Sequence, residues 1–202
     1  LLRSRQRIAG LVAMAAVYGG MLATFFLTVQ LLSHQFGYSP FRAGVAFLPV
    51  PLGVFTMSRL APRLVARIGP APLIAAGTAS VFTAMGLLLG VDASTSYTAG
   101  VFPSLLLMGL GMGASFMPIT VLALNGVEPE HTGSASGLLQ TMQQLGGAVG
   151  LAVVASVFAG RSAHGFDPAL RAGYGAATVL AAIALASAVT LLARRTVAAT
   201  SA

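Results

Sequence analysis

The chain has 202 residues, of which 56% are hydrophobic and only 7% are charged, and its formal net charge is +7. A soluble domain carries about 25% charged residues, and a core of this size cannot bury so much apolar surface. These values exclude a water-soluble enzyme or a free binding domain. They also exclude a nucleic-acid-binding protein, which needs a solvated cationic surface. The charge instead indicates the cytosolic side of a membrane protein.

Six apolar stretches are long enough for a helix to cross a bilayer, which takes about 20 residues. In chain order these spans are A (8–32), B (43–60), C (73–91), D (100–124), E (133–159) and F (174–193). Their length and lack of alternation exclude barrel strands. We therefore predict an all-α integral membrane protein, with residues 1–202 forming one bundle of six transmembrane helices in the lipid bilayer. Five linkers separate the spans, at 33–42, 61–72, 92–99, 125–132 and 161–173, and Pro49 and Pro51 are expected to kink span B.

The arginines predict the orientation, because short cytosolic loops are enriched in cations. One side holds eight of them: Arg3, Arg5, Arg7, Arg59, Arg63, Arg67, Arg194 and Arg195. The other side holds three, which are Arg42, Arg161 and Arg171. Both ends of the segment are therefore expected in the cytosol. Tyr38, Tyr97 and Tyr174 fall at predicted outer ends, where tyrosine favours the headgroup layer.

An internal repeat is indicated by two similar segments. Residues 20–25 of span A resemble residues 111–116 of span D, and the two spans cross in opposite directions. This favours two inverted three-helix repeats, at about 8–91 and 100–193, an arrangement that builds many transporters.

A polar face on span E is the first candidate site. Gln140, Gln143 and Gln144 are spaced so that their amides share one side of the helix. Polar side chains at membrane depth usually face the bundle interior or a water-filled cavity, so the three amides are candidates for binding substrate. The alternative is adhesion between helices, worth about 0.6 kcal/mol per bond.

A stripe of Met and aromatic residues on span A is the second candidate. Met14, Tyr18, Met21 and Phe25 share a face, and the repeat supplies the counterparts Met112 and Phe116 in span D. Such side chains can line a site for varied apolar ligands, although helix packing is the alternative. Tyr18 lies near mid-span, so it is expected to face the bundle interior or a wet cavity.

Two further patterns have structural interpretations. Glycine pairs at four-residue spacing favour close helix packing; they are Gly86 and Gly90, Gly109 and Gly113, and Gly146 and Gly150. Arg59, Arg63 and Arg67 form a stripe at the inner end of span B, followed by Gly69. The stripe is interpreted as a topology signal that contacts anionic lipid, or as a cytosolic latch between transporter halves.

Enzymatic chemistry is not indicated. The sequence has no cysteine, its three histidines and four carboxylates are scattered, and no phosphate loop or nucleophile elbow occurs. We therefore expect no enzymatic activity, no metal site and no cofactor. The carboxylates all lie in loops, so no proton-relay acid is visible.

The stretch from Pro129 to Gly150 resembles the major facilitator superfamily, specifically its 14-span drug/proton antiporter branch. Residues 37–40, 43–44, 48–49 and 109–113 are similar to the same branch, and the Arg63 to Gly69 stretch is similar to a degenerate cytosolic loop motif. Relatives often have Asn and Arg where this chain has Gln140 and Gln143. The resemblance covers six helices and implies the C-terminal half of the fold, without its N-terminal half of six to eight spans.

The resemblance implies an efflux transporter in the bacterial cell membrane, which exports amphipathic small molecules by alternating access and uses a proton gradient. Spans A, D and E are expected to line the cavity, with C and F outside. The alternative is a non-transporting membrane anchor or assembly subunit.

Overall fold

The computed structural model describes residues 5–91, 95–124, 130 and 132–200. Arg3, Asp92 and Glu128 lie outside the described residues, as do the side chains of Arg5, Arg7, Arg194 and Arg195. The topology argument from those arginines therefore stays a prediction.

The described chain is helical throughout its long segments. Its α-helices are α1 (Arg5–His34), α2 (Pro40–Ala46), α3 (Pro49–Ile68), α4 (Pro70–Leu89), α5 (Phe102–Leu124), α6 (Thr132–Arg161) and α7 (Phe166–Thr200). A π-helical turn, Tyr97–Val101, precedes α5, and a 3-10 turn, Ser162–His164, follows α6. Six segments of the described chain are long and apolar enough to cross a membrane. The predicted class, an all-α membrane protein with six spans, is confirmed.

Span B differs from the prediction, because the chain breaks between α2 and α3 where a kink was expected. Pro49 begins α3 and has no N–H to donate. The amides of Phe47 and Leu48 bond to the carbonyls three residues back, those of Gly44 and Val45. The break therefore follows from the missing donor, and the outer segment α2 can take a direction of its own.

The linkers 61–72 and 161–173 are shorter than predicted. Helix α3 continues to Ile68, and Gly69, with φ of 84°, is the one residue between it and α4. That backbone conformation favours glycine and ends the helix abruptly. Arg63 and Arg67 consequently lie on a helix and not in a loop. At the other linker, α7 begins at Phe166, because the 3-10 turn already reverses the chain.

The helices pair in a pattern that is symmetric between the two halves of the chain. Helix α1 packs chiefly against α6 and α7, whereas α5 packs chiefly against α3 and α4. Exchanging α1 with α5, α3 with α6 and α4 with α7 maps each pairing onto the other. Helices α3 and α6 are the least buried spans, with 28% and 17% of their apolar windows buried. They border a face on which α1 and α5 meet.

Glycines allow the closest helix contacts. Gly146 lies against the backbone of Ala15, and Gly150 lies against Gly19, so α1 and α6 touch along their backbones. Gly109 and Gly113 bring α5 equally close to α3, at residues 50–57. By contrast, a β-carbon on Gly86 would meet no described atom of another segment within 4 Å, and Gly90 caps the end of α4. Among the described residues, Gly86 and Gly90 therefore do not bring two helices together.

Tyr174 corrects another expectation. It is fully buried, and its hydroxyl forms a 3.0 Å hydrogen bond with that of Thr28. Because α7 begins earlier than predicted, Tyr174 lies two turns inside that helix and not at the outer end. Because Tyr174 is buried and its hydroxyl has a polar partner, it stabilises the packing of α7 against α1.

Candidate functional site

An apolar cavity lies where α1, α3 and α5 meet on the face bordered by α3 and α6. Its volume is about 340 Å³, and it is lined by Met21, Leu22, Phe25, Phe47, Val50, Pro51 and Met108. The rings of Phe25 and Phe47 lie 4.6 Å apart, and Phe25 is half exposed. The lining offers a flexible thioether and aromatic surface without a charged group, which suits apolar ligands of varied shape.

Tyr18 continues this face towards the N-terminal end of α1. It lies seven residues from Phe25, about 10 Å along a helix that rises about 1.5 Å per residue. Its ring packs edge-on against Phe116 of α5, with centroids 6.1 Å apart. Tyr18 is partly exposed, and none of the described residues forms a hydrogen bond with its hydroxyl. The hydroxyl is thus available to a ligand on the face bordered by α3 and α6.

The glutamine face of α6 is directed to the same region. A β-carbon on Gly147 would lie 2.9 Å from Cδ1 of Tyr18, so Gly147 faces that ring across the α1–α6 contact. Gln140, Gln143 and Gln144 precede Gly147 by seven, four and three residues, which places all three on the Gly147 side of the helix. Gly147 thus connects the polar face of α6 to Tyr18, which lies one turn from the cavity residues Met21 and Leu22.

The side-chain amides of the three glutamines are the main polar groups of the site. Gln140 and Gln144 are exposed and Gln143 is partly buried, and the described residues supply none of the three with a hydrogen-bond partner. Gln144 is the thirteenth residue of the 30-residue α6, so it lies near mid-membrane. Unpartnered amides facing lipid at that depth are costly, whereas amides facing a wet cavity are not.

The other candidate residues are placed differently. Met21 and Phe25 line the cavity, and Phe116 borders Tyr18. Met112 is 6% exposed and packs in the core, and Met14 is fully buried in a smaller cluster with Leu11, Ile74 and Ile119. One part of the stripe on α1 therefore packs in the core, and another part lines the cavity. Because both parts share one helical spacing, the spacing alone could not distinguish packing from ligand binding.

Residues of span B were missed in the sequence analysis. Phe47, Val50 and Pro51 line the cavity because the break before Pro49 turns this part of the chain towards α1. The signal available was Pro49 itself, which frees nearby side chains to adopt new directions. Met108 was also missed, although it lies one turn from Met112 on the same face of α5.

The arginine stripe lies apart from the cavity, at the C-terminal end of α3. Arg59, Arg63 and Arg67 are all exposed, and the guanidinium of Arg59 stacks 4.5 Å from the ring centroid of Phe55. None of the described residues forms an ion pair with the three cations. Their charge is therefore available to lipid phosphate or to acidic groups elsewhere.

Comparison with known proteins gives consistent matches. The family model described as Major Facilitator Superfamily matches residues 1–151. A puromycin resistance protein of Streptomyces alboniger is 35% identical over 158 residues, covering 74% of this chain and 31% of that protein. The multidrug resistance protein Stp of Mycobacterium tuberculosis is 35% identical over 155 residues, covering 77% of this chain and 28% of that protein.

A third relative is the cephamycin export protein CmcT of Amycolatopsis lactamdurans, 36% identical over 160 residues, or 77% of this chain and 32% of that protein. The chain thus spans about a third of the length of these curated relatives.

Proposed function

The chain belongs to the major facilitator superfamily, and from this premise we propose that it forms one half of a transporter that exports drug-like molecules across a bacterial membrane. The relatives' names, which refer to resistance and export, support the direction and the class of substrate. The remaining helices of the whole protein would close the face bordered by α3 and α6. A protein of this kind carries out transport and not enzymatic chemistry.

The observation that supports this proposal best is the exposed polar face of α6 next to Tyr18. Gln140 and Gln144 present amides, and Tyr18 a hydroxyl, that have no hydrogen-bond partner among the described residues, and Tyr18 lies one turn from the apolar cavity. A substrate with an apolar body and a hydrogen-bonding group would fill both parts. A membrane anchor, the alternative role, would be expected to bury or lose such groups, because exposed amides in lipid are costly.

The proposed mechanism is alternating access. The two halves rock about the mid-membrane site, and substrate loaded from the cytosolic side leaves on the other. Both ends of this segment lie in the cytosol in this scheme, as the arginine distribution predicts. Export is driven by proton entry, and the groups that carry the proton belong to the other half, because α1–α7 show no acid at membrane depth among the described side chains.

Transport assays on the full-length protein test this proposal. Inside-out vesicles energised with a proton gradient are expected to accumulate puromycin, and Gln140→Ala or Gln144→Ala to change which compounds are accumulated. Tyr18→Phe, which removes only the hydroxyl, is expected to affect hydrogen-bonding compounds and spare apolar ones. A lost bond of this kind typically weakens binding by about 0.5–1.5 kcal/mol, or two- to tenfold.

Leu145→Ala is the matched control, because Leu145 is 53% exposed on another face of α6. It is expected to leave the substrate profile unchanged. If vesicles with correctly inserted protein accumulate none of the compounds, the transporter assignment fails and the anchor role is favoured. If transport occurs but all three site variants keep the original profile, the transporter stands and the site is wrong.

A further inference from the structure

A second cavity, of about 320 Å³, lies at the outer end of α3 on the side away from the candidate site. It is lined by Leu48 and Leu52, whereas the first cavity uses Val50 and Pro51. Successive helical residues are about 100° apart, so these pairs lie on different faces of α3. Leu48 and Leu52 are 52% and 59% exposed, so this cavity is open on that side of the described chain.

One cation lies at the rim of this second cavity. The guanidinium of Arg42 is stacked on the ring of Tyr38, 4.1 Å from its centroid. No carboxylate of the described residues forms an ion pair with it. Stacking fixes the plane of the guanidinium and leaves its N–H groups free to donate.

The neighbouring tyrosine hydroxyl is already occupied. Tyr97 donates a 2.7 Å hydrogen bond to the carbonyl of Ala46. That carbonyl needs a donor, because Pro49 has no N–H and the amide of Val50 bonds to Phe47 instead. The hydrogen bond from Tyr97 thus connects the break between α2 and α3 to the turn before α5 and fixes the shape of the cavity rim. Arg42 is the charged donor at this rim, and it has no ion-pair partner among the described residues.

We propose that this cavity binds an anionic phospholipid, with the phosphate on Arg42 and an acyl chain along Leu48 and Leu52. A guanidinium donates to phosphate in a bidentate geometry, and the apolar floor matches a hydrocarbon chain. Charge complementarity favours an anionic headgroup, since a choline group would bring a second cation to an arginine without a carboxylate partner. In the orientation proposed above the lipid belongs to the outer leaflet, but the binding does not depend on the orientation.

Native mass spectrometry of the delipidated full-length protein tests this site. Phosphatidylglycerol and phosphatidylcholine with identical acyl chains are titrated into separate samples. We expect Arg42→Gln to lower the affinity for phosphatidylglycerol about fivefold, the usual effect of one cation near a membrane surface, and to leave phosphatidylcholine unchanged. Arg161→Gln, which changes another exposed arginine at the same end of the bundle, is the matched control and should have no effect.

Further variants and ligands separate the possible sources of binding. Leu52→Ser should weaken both lipids, because it shortens the apolar floor, and Tyr38→Leu should reduce the preference for phosphatidylglycerol even if Arg42→Gln does not fold. Inorganic phosphate should not displace the lipid. Equal losses in the Arg42 and Arg161 variants would show general charge attraction and overturn the site. Displacement by inorganic phosphate would show an anion site without a lipid and would also overturn the proposal.

Discussion

The backbone contact between α1 and α6 leaves no room for a methyl group at Gly146. A β-carbon there would lie 2.5 Å from Cα and 2.6 Å from the carbonyl carbon of Ala15. Ordinary contact needs about 3.4 Å or more, so the two helices would have to separate by roughly 1 Å. Backbone atoms cannot move aside as a flexible side chain can. Gly146→Ala is therefore expected to destabilise the bundle.

Two opposing contributions determine how much the free energy of unfolding changes. Overpacking of this kind typically costs about 1–3 kcal/mol. Replacing glycine by alanine inside a helix gains about 1 kcal/mol. Gly137→Ala isolates the second term, because Gly137 lies in α6 and has no neighbour within 4 Å. The two variants should thus differ in stability by about 1–3 kcal/mol, since the gain is common to both.

The measurement is the thermal stability of the full-length protein in detergent. After heating, size-exclusion chromatography gives the fraction of the protein that remains monomeric. We expect Gly146→Ala to unfold at a lower temperature than Gly137→Ala, because it is less stable by about 1–3 kcal/mol. If the two variants are equally stable, α1 and α6 are not in backbone contact. The described position of the glutamine face of α6 next to Tyr18 is then wrong.

Three further predictions concern α7, the cytosolic stripe and the orientation. Tyr174→Phe should lower stability by about 1–2 kcal/mol in the same heating assay, because it leaves the buried hydroxyl on α1 without its partner; no change would exclude a structural hydrogen bond. Arg63→Gln with Arg67→Gln should slow transport more than it weakens drug binding, whereas unchanged transport would leave the stripe as a topology signal alone. Cysteines introduced at Ser134 and Ser162, both exposed, should react from opposite sides of the membrane in intact cells; labelling from the same side would contradict the topology.

Much of the fold could be predicted from the sequence, because length and hydropathy alone define membrane spans. The span ends were less certain, since they depend on local backbone chemistry. Gly69 and the 3-10 turn reverse the chain within a few residues, so the linkers 61–72 and 161–173 are largely helical. Proline likewise predicted a disturbance in span B, but not that Pro49 would begin a new helix.

The candidate site could be predicted only in part. The spacing of Gln140, Gln143 and Gln144 fixes a shared face, but not which helix that face borders. The contact between Gly147 and Tyr18 supplies that information. Phe47 gave no periodic signal, because its position depends on a helix break and on packing across three helices. Side chains brought together by tertiary contacts leave little trace in one sequence.

The central claim is that the glutamine face lines a wet cavity that holds the exported substrate. Gln144→Cys, in full-length protein without other cysteines, tests it by reaction with a water-soluble thiol reagent in membranes. Cysteine at position 144 should react, and a compound that the protein exports should protect it, while Val149→Cys, at a position 61% exposed on another face of α6, should stay unreactive. If the cysteine at 144 does not react, or reacts equally with and without every compound that the protein exports, the face does not line the substrate site.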